Sequence, residues 1–241
     1  MHRILQSPLR LVLPFVILAQ AAAFAATKPH TITFGKWTTV QWSPETSVAT
    51  PTADDKPLTL KVRPLLVDAH TKEFTIGPAH DVTDRLFVVR RAFRVNDSLP
   101  QEPAAPPRWQ WQRGGWLLVD RVTGRVVPVN LPEFDAVYSV VSWYRDYAAY
   151  CGISDDSKEI YAMVVQLNRR KPLVKWLIGE AKVTVETQQL QIPDSACSLP
   201  DWQRSPARVT FAPNPSVKRT YEIRGRSVDL LPDEEAEEAA K

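Results

Sequence analysis

Few residues of this chain have the types and spacing that acid–base or metal chemistry requires. Of its four histidines, His30, His70 and His80 follow the first 25 residues, and none has the i, i+4 spacing of an HExxH zinc site. No GxSxG nucleophile elbow occurs. His80 beside Asp81 could be half of a base-and-orienter pair, but such a pair is defined by geometry rather than adjacency. The sequence therefore predicts no catalytic residue, metal site or cofactor.

Carboxylates near aromatic residues give one enzymatic alternative. Glu133 and Asp135 lie in LPEFDAVY, and Asp146 follows a Trp-Tyr-Arg run. Glycoside hydrolases use two carboxyl groups, one as the acid and one as the nucleophile or base. The alternative function is accordingly a secreted glycan hydrolase in which two of these three residues serve as acid and base.

Two aromatic clusters flanked by arginines, RWQWQRGGW and SWYRDYAAY, are the most suggestive feature. Flat rings on a sheet face can stack on sugars or anchor a protein partner. For any single ring, core packing is the commoner role, because large aromatic residues dominate core energetics. Strand alternation places Trp109 and Trp111 on one face of their strand. It also places Trp143, Arg145 and Tyr147 together, opposite Tyr144 and Asp146. The predicted ligand-binding residues are Trp109, Trp111, Trp116, Trp143, Tyr144, Arg145 and Tyr147.

Basic residues gather in two places, a strand region and a turn. These are Arg85, Arg90, Arg91 and Arg94 in the strand region, and Arg169, Arg170 and Lys171 in the turn. They form either a solvated face or a site for an anionic partner, such as an acidic glycan or a phosphate-bearing envelope lipid. The net charge of +3 is small and no nucleic-acid-binding motif occurs, so no nucleic-acid partner is predicted.

The N-terminal 25 residues have the pattern of a secretory signal peptide. Arg3 and Arg10 give a basic start, Leu11 to Leu18 is a short apolar run, and Ala23 and Ala25 form an A-x-A site. The apolar run is shorter than the roughly 20 residues that a bilayer needs. We therefore expect a mature chain of residues 26–241, exported to the periplasm or the extracellular space, with no membrane span.

Charge is unevenly distributed along the predicted mature chain. Without Arg3 and Arg10, 28 basic side chains face 27 acidic ones. The tail from Asp233 to Lys241 holds five acids and one lysine, which leaves residues 26–232 with a net charge of +5. This pattern predicts one mildly basic β domain over residues 26–232 and an acidic, flexible tail over residues 233–241.

Cys151 and Cys197 are the two cysteines of the chain. An exported compartment is oxidising, and two cysteines allow one internal pairing, so a Cys151–Cys197 disulfide is predicted. The bridge would close a loop of 47 residues, for which the chain-entropy model gives about 4 kcal/mol of stabilisation. The alternative is two unpaired thiols.

The body of the chain shows the period-two alternation of β-strands. In Leu58 to Arg63 every second residue is apolar, and Ile32 and Phe34 alternate with threonines. No amphipathic helix of three turns is predicted. The polar segment Glu45 to Pro57 and the proline-rich segment Ser98 to Arg108 are expected to be loops. The predicted fold class is therefore all-β and antiparallel.

Strand–turn–strand fragments recur at a nearly constant spacing. The sequence LLVD occurs at residues 65–68 and again at 117–120, and MVVQ follows at 163–166. Residues 209–223 have the pattern of a further hairpin. Tyr138 to Gly179 reads as four strands, SVVSWYRD, YAAYCGIS, EIYAMVVQL and PLVKWLIG. Hairpins at this spacing are typical of a propeller blade, in which about 40–50 residues make four strands.

Two of these pieces, LLVDRVTGRV and SDDSKEIYAM, resemble the blades of secreted β-propeller repeat proteins. The resemblance implies a small propeller-like fold of four or five blades and carries no functional residue. The alternative is a β-sandwich whose hairpins have a similar spacing. With no catalytic motif present, we expect an exported, non-catalytic binding or envelope-interaction protein with a protein or glycan partner.

Overall fold

The computed structural model describes residues 29–42, 58–96, 107–184, 189–191, 198–214, 216–225 and 227–232. Within these ranges the chain forms seventeen strands and no helix, which confirms the all-β prediction. The predicted signal peptide (1–25), the loop 45–57, most of the loop 98–108 and the acidic tail (233–241) lie outside the described residues.

The first sheet contains seven strands. They are β1 (Ile32–Phe34), β2 (Thr38–Trp42), β3 (Leu58–Val67), β4 (His70–Asp81), β5 (Leu86–Asn96), β6 (Trp109–Asp120) and β7 (Val126–Val129). Strands β3 to β7 pair antiparallel with their neighbours in sequence order. β2 pairs antiparallel with β3 and meets β6 in parallel at one residue pair, Trp42 and Trp111. The sheet is not a barrel.

The central sheet is the four-stranded unit predicted between Tyr138 and Gly179. Its strands are β8 (Val141–Tyr144), β9 (Tyr147–Ile153), β10 (Glu159–Gln166) and β11 (Val174–Glu180). They pair antiparallel in chain order. A turn joins β9 to β10 at Asp155–Lys158, as the polar run predicted. The sequence thus identified this sheet correctly, because each of its contacts is between neighbouring hairpin strands.

A short hairpin and a second four-stranded sheet follow. The hairpin pairs β12 (Lys182–Thr184) with β13 (Gln189–Gln191). The C-terminal sheet contains β14 (Asp201–Arg204), β15 (Ala207–Asn214), β16 (Val217–Arg224) and β17 (Ser227–Leu231), again antiparallel in chain order. The hairpin predicted over residues 209–223 is confirmed. The finer choice between a propeller and a sandwich stays a prediction.

The central sheet is covered on both faces. One face packs on the C-terminal sheet through Ala149 and Val164 against Val209 and Phe211. The other face, which includes Tyr150 and Met163, packs on Leu131, Trp116 and the segment between β7 and β8. Every residue of β9 is therefore buried, which explains its run of alanines and glycine, since small residues let the neighbouring layers approach closely.

Cys151 is buried within β9. Cys197 lies outside the described residues. The Cys151–Cys197 disulfide therefore stays a prediction.

Asp120, the last residue of the second LLVD, organises the turn between β6 and β7. Its Oδ1 accepts the backbone N–H of Val122 at 2.8 Å and that of Thr123 at 3.3 Å. Its carboxylate also forms an ion pair with Arg85. The Arg85 guanidinium, together with these N–H groups, holds the pKa of Asp120 well below its usual range. The turn is therefore built around an ionised aspartate.

We expect Asp120→Asn to weaken the acid sensitivity of the fold. A carboxyl group whose pKa is lower in the folded state contributes stability above its unfolded pKa of about 4, and this stability is lost as pH falls toward the folded pKa. The measurement is urea unfolding at pH 7, 4 and 3 for wild type, Asp120→Asn and the control Asp84→Asn. The wild type and the control should lose more stability on acidification than Asp120→Asn. Equal pH slopes for all three proteins would contradict the expectation.

Candidate functional site

A cleft of about 640 Å³ opens between the first sheet and the central sheet. We call it the basic-aromatic cleft, after the side chains that line it: Lys61, His80, Arg90, Arg113, Trp116 and Trp143. Apolar residues of β3 and β4, Val141 and Ser142 of β8, and Leu199 complete the wall. No acidic residue is among the described residues that line it. The cleft brings together one indole from each aromatic cluster that the sequence analysis singled out.

A β-bulge in β6 places Arg113 and Trp116 side by side. Across the ladder Arg90 lies opposite Trp116, and Ala92 lies opposite Arg113. Two glycines of β6 therefore face the single residue Arg91. In a regular strand, residues three apart point to opposite faces, and the extra residue of the bulge returns both to one face. A Cβ at Gly114 would lie 3.1 Å from the Arg91 Cβ, a tight contact that glycine avoids.

A second bulge, in β4, shapes the rim of the cleft. Ile76 lies opposite Arg90 and His80 lies opposite Val88, so residues 77–79 face one residue of β5. Gly77 has a φ of +68°, in the left-handed region that favours glycine. Pro78, which has no N–H group to leave unpaired, follows it. The bulge turns His80 toward the central sheet.

His80 connects the two sheets. Its Nε2 lies 2.9 Å from the carbonyl oxygen of Arg145, and because a carbonyl only accepts, Nε2 carries the proton. Its ring stacks on Trp143 with centroids 6.0 Å apart. Asp81 forms its ion pair with Arg121 at 2.6 Å rather than with His80. The arrangement orients the imidazole as a wall of the cleft.

Arg90 and Arg113 place two positive charges at the cleft, and among the described residues the Asp135 carboxylate acts on Arg90 only from a distance. Arg90 donates from Nη2 to the Ala136 carbonyl at 2.5 Å, and neither arginine forms an ion pair with a described residue. Burial, together with the charge of Arg113, lowers the pKa of Arg90 to about 10, and the charge of Asp135 opposes this shift. Burial also lowers the pKa of Arg113, whose Cζ lies 4.2 Å from the Trp42 ring centroid. Both guanidinium groups remain protonated at neutral pH.

Three buried donors at this cleft have no acceptor among the described residues. They are Nε of Arg113 and the indole Nε1 atoms of Trp116 and Trp143. The two indoles contact each other edge to face, with centroids 5.2 Å apart. A buried donor without a partner costs about 1–3 kcal/mol, and such groups are rare in folded proteins. An acceptor atom that comes within hydrogen-bond distance, on a water molecule or on a ligand, would satisfy them.

The other predicted aromatic residues lie outside the cleft. Trp109 is 58% exposed, and Trp111 packs edge to face on Phe74. Arg94 contacts both indoles, with its Cζ 5.6 Å and 5.5 Å from their centroids. These residues form a separate surface at the start of β6.

Tyr144 and Tyr147 face the C-terminal sheet instead. Tyr144 Oη donates to the Arg204 carbonyl at 2.9 Å, and Tyr147 Oη donates to the carbonyl of Gly225 at 3.3 Å. Both rings belong to the core between the central and C-terminal sheets, whereas Trp143 belongs to the core on the other face. The prediction that Trp143 and Tyr147 share a face is therefore wrong.

The reason is the tight turn at Arg145, which has a φ of +52° and an exposed side chain. Tyr144 pairs with Tyr147 and Trp143 pairs with Ala148 across the hairpin. Directly paired residues share a face, so the turn restarts the alternation. Arg113 and His80 were missed as cleft residues. The Gly114–Gly115 pair, which is unusual inside a strand, is the signal that could have identified the first bulge.

The carboxylates proposed for hydrolysis lie elsewhere. Glu133 and Asp135 line a different cavity of about 470 Å³, and Asp146 does not. Glu133 forms an ion pair with Lys175 at 2.7 Å. Asp135 accepts the backbone N–H groups of residues 137 and 138 at 2.7 Å and 2.8 Å. Asp146 accepts from Gln166 Nε2 at 2.8 Å. Each carboxylate is held in a structural contact.

No model of a known protein family matches this chain, and neither curated proteins nor solved structures give a significant match. Across the described ranges, no helix is long and apolar enough to cross a bilayer. Nor does the described part of the chain place three or more His, Cys, Asp or Glu side chains together for metal binding.

Proposed function

We propose that this chain is an exported, non-catalytic binding protein that holds an anionic ligand in the basic-aromatic cleft. The observation that carries the proposal is a set of three buried donors, on Arg113, Trp116 and Trp143, that have no acceptor among the described residues. They surround a cleft whose described lining residues include no acid. Export rests on the signal-peptide pattern of the first 25 residues.

An anion fits this cleft better than a neutral ligand. Arg90 and Arg113 are close enough for the charge of one to lower the pKa of the other, so an approaching anion relieves a repulsion that already exists. Carboxylate, sulfate and phosphate groups supply acceptor atoms only, and guanidinium groups bind them with two parallel hydrogen bonds. The indole N–H groups add neutral donors to the same site.

The hydrolase alternative receives less support. An acid and a base must face each other across one substrate. Glu133 is engaged by Lys175, and Asp146 lies outside the cavity that Glu133 and Asp135 line. For the fold, we infer that the central and C-terminal sheets are propeller-like blades, since each is a four-stranded antiparallel meander in chain order.

Tryptophan fluorescence tests the proposed function. The purified protein is titrated with trigalacturonate, polyglutamate and phosphatidylglycerol vesicles, with neutral maltotriose as the control ligand. We expect at least one anionic probe to change the fluorescence, with an affinity that falls as salt rises. Maltotriose should have no effect. The proposal is wrong if no anionic probe binds, or if maltotriose binds equally well.

Trp143→Phe tests the site itself. The substitution keeps a ring at this position and removes the N–H donor, so the affinity for the anionic probe should fall about threefold to tenfold. Calorimetry measures this affinity without relying on the removed fluorophore. Trp109→Phe is the matched control and should bind as wild type does, because Trp109 lies outside the cleft. Equal losses in both variants would place the binding site elsewhere.

A further inference from the structure

Arg63 forms a second cationic position on β3. Its Cζ lies 3.8 Å from the ring centroid of Phe34 and 4.3 Å from that of Trp37. Its Nε is buried without a partner among the described residues. No described carboxylate pairs with it. Rings that pack on a guanidinium group fix its plane and leave its N–H edge available for a carboxylate or sulfate.

A cavity of about 710 Å³ lies in front of Arg63 and adjoins the basic-aromatic cleft. The two spaces share Lys61, Gly77 and Pro78 in their walls. Lys61 and Arg63 are two residues apart on β3 and therefore share a face. The register pairs Ile76 with both Val62 and Arg90, so Arg63 lies on one face of the first sheet and Arg90 on the other, with Lys61 at the junction of the two spaces. The pairing of β3 with β4 ends at Val62 and Ile76, so the two spaces meet where these strands separate, beside Lys61 and Gly77.

Four basic side chains lie around the junction of the two spaces. Lys61, Arg63, Arg90 and Arg113 line the two adjoining spaces, and no acidic residue is among the described residues of either wall. One small anion could neutralise only one end of such a row. A ligand that carries negative charges at intervals along its length matches the whole row.

We propose that the two spaces form one groove for an acidic oligosaccharide, with one charged unit at Arg90 and Arg113 and another at Arg63. This inference rests on the proposed function and names its ligand class. Trp37, which is 47% exposed at the far end of the groove, offers a flat ring face for a sugar ring. An acidic peptide fits less well, because the buried unpartnered atoms of the described residues here are all donors. A peptide adds a backbone N–H donor at each residue, whereas a sugar hydroxyl group can accept as well as donate.

Calorimetry with galacturonate and trigalacturonate tests the proposal on the mature protein at about 0.1 M salt. Trigalacturonate should bind at least about tenfold more tightly than the monomer, because its second charge binds within the same molecule. Arg63→Gln should weaken trigalacturonate binding about tenfold and leave monomer binding within about twofold. Trp37→Ala should give a similar length-dependent loss, and its exposure makes it a variant that folds.

Arg94→Gln is the matched control, since Arg94 packs on two indoles in the same way but lines neither space. It should bind both sugars as wild type does. If Arg113→Met weakens binding of both sugars while Arg63→Gln and Trp37→Ala change neither, the groove is wrong and the anion cleft stands. The groove is also wrong, and the anion cleft stands, if polyglutamate or anionic vesicles bind in an Arg113-dependent manner and trigalacturonate does not bind. If no anion binds at all, both proposals fall.

Discussion

Arg113→Met is expected to lower the affinity for the anionic ligand by about 10- to 100-fold, since hydrogen bonds to charged groups contribute about 1.5–3 kcal/mol. The guanidinium of Arg113 lines the basic-aromatic cleft and has no acidic partner among the described residues. Its loss removes a charge, a bidentate donor group and one of the three unpartnered donors. Calorimetric titration with the anionic probe that binds wild type measures the change.

The same substitution should leave the free energy of unfolding unchanged or raise it by up to about 1 kcal/mol. In the unliganded protein the Arg113 charge is partly buried, which lowers its pKa, and its Nε has no acceptor among the described residues. Methionine keeps an unbranched stem that can pack on Trp42, and it removes the cost of the unpaired donor. Binding and stability should therefore change in different directions.

The control for this experiment is Arg94→Met, which should leave the affinity for the anionic probe and the structure of the cleft unchanged. Urea unfolding of both variants, followed by circular dichroism, gives the stability comparison. If Arg113→Met lowers stability by more than about 1 kcal/mol together with affinity, then Arg113 supports the fold and the reading of its Nε as a ligand donor is wrong.

The strands and hairpins could be predicted from the sequence because they depend on local information. The LLVD of residues 65–68 runs from the end of β3 into the turn, and that of residues 117–120 ends β6. SDDSKEIYAM forms the turn and strand that its pattern indicates. Each of these contacts joins residues close in sequence. Alternation, turn chemistry and spacing are sufficient to identify them.

The cleft could be predicted only in part. Trp116 and Trp143 were named, but their contact depends on the packing of two sheets, which no local pattern encodes. Arg113 joins them only because the Gly114–Gly115 bulge shifts the alternation of β6 by one residue. In the same way, the turn at Arg145 places Trp143 and Tyr147 on opposite faces of the central sheet, whereas simple alternation predicted one face for both. A bulge or turn of one or two residues changes the alternation of side chains along a strand. It therefore decides which side chains come into contact.

The segment between β7 and β8 connects the core of the central sheet to the cleft. Tyr150 donates from Oη to the carbonyl of Pro132 at 2.6 Å, and its ring meets Phe134 with centroids 5.8 Å apart. The same segment supplies the Ala136 carbonyl that accepts from Arg90. Residues that hold this segment on the sheet therefore also hold Arg90 at the cleft.

Tyr150→Ala is expected to lower the free energy of unfolding by about 3–5 kcal/mol. The side chain is large and fully buried, and it packs in the core between the central sheet and the segment that precedes it. This is a large share of a typical folding free energy of about 5–15 kcal/mol. The loss combines the buried area of the ring with the cavity that alanine leaves against Phe134 and Met163. Chemical unfolding followed by circular dichroism measures the change.

Tyr150→Phe is the matched control and separates the ring from its hydroxyl group. It should cost only about 1 kcal/mol, the value of the hydrogen bond to Pro132, and leave the cleft intact. Anion affinity should then stay within about twofold of wild type in the folded protein. If the alanine and phenylalanine variants lose equal stability, the ring is not the anchor of this segment. If Tyr150→Phe alone abolishes anion binding, the hydroxyl has a direct role in the site that the packing does not predict.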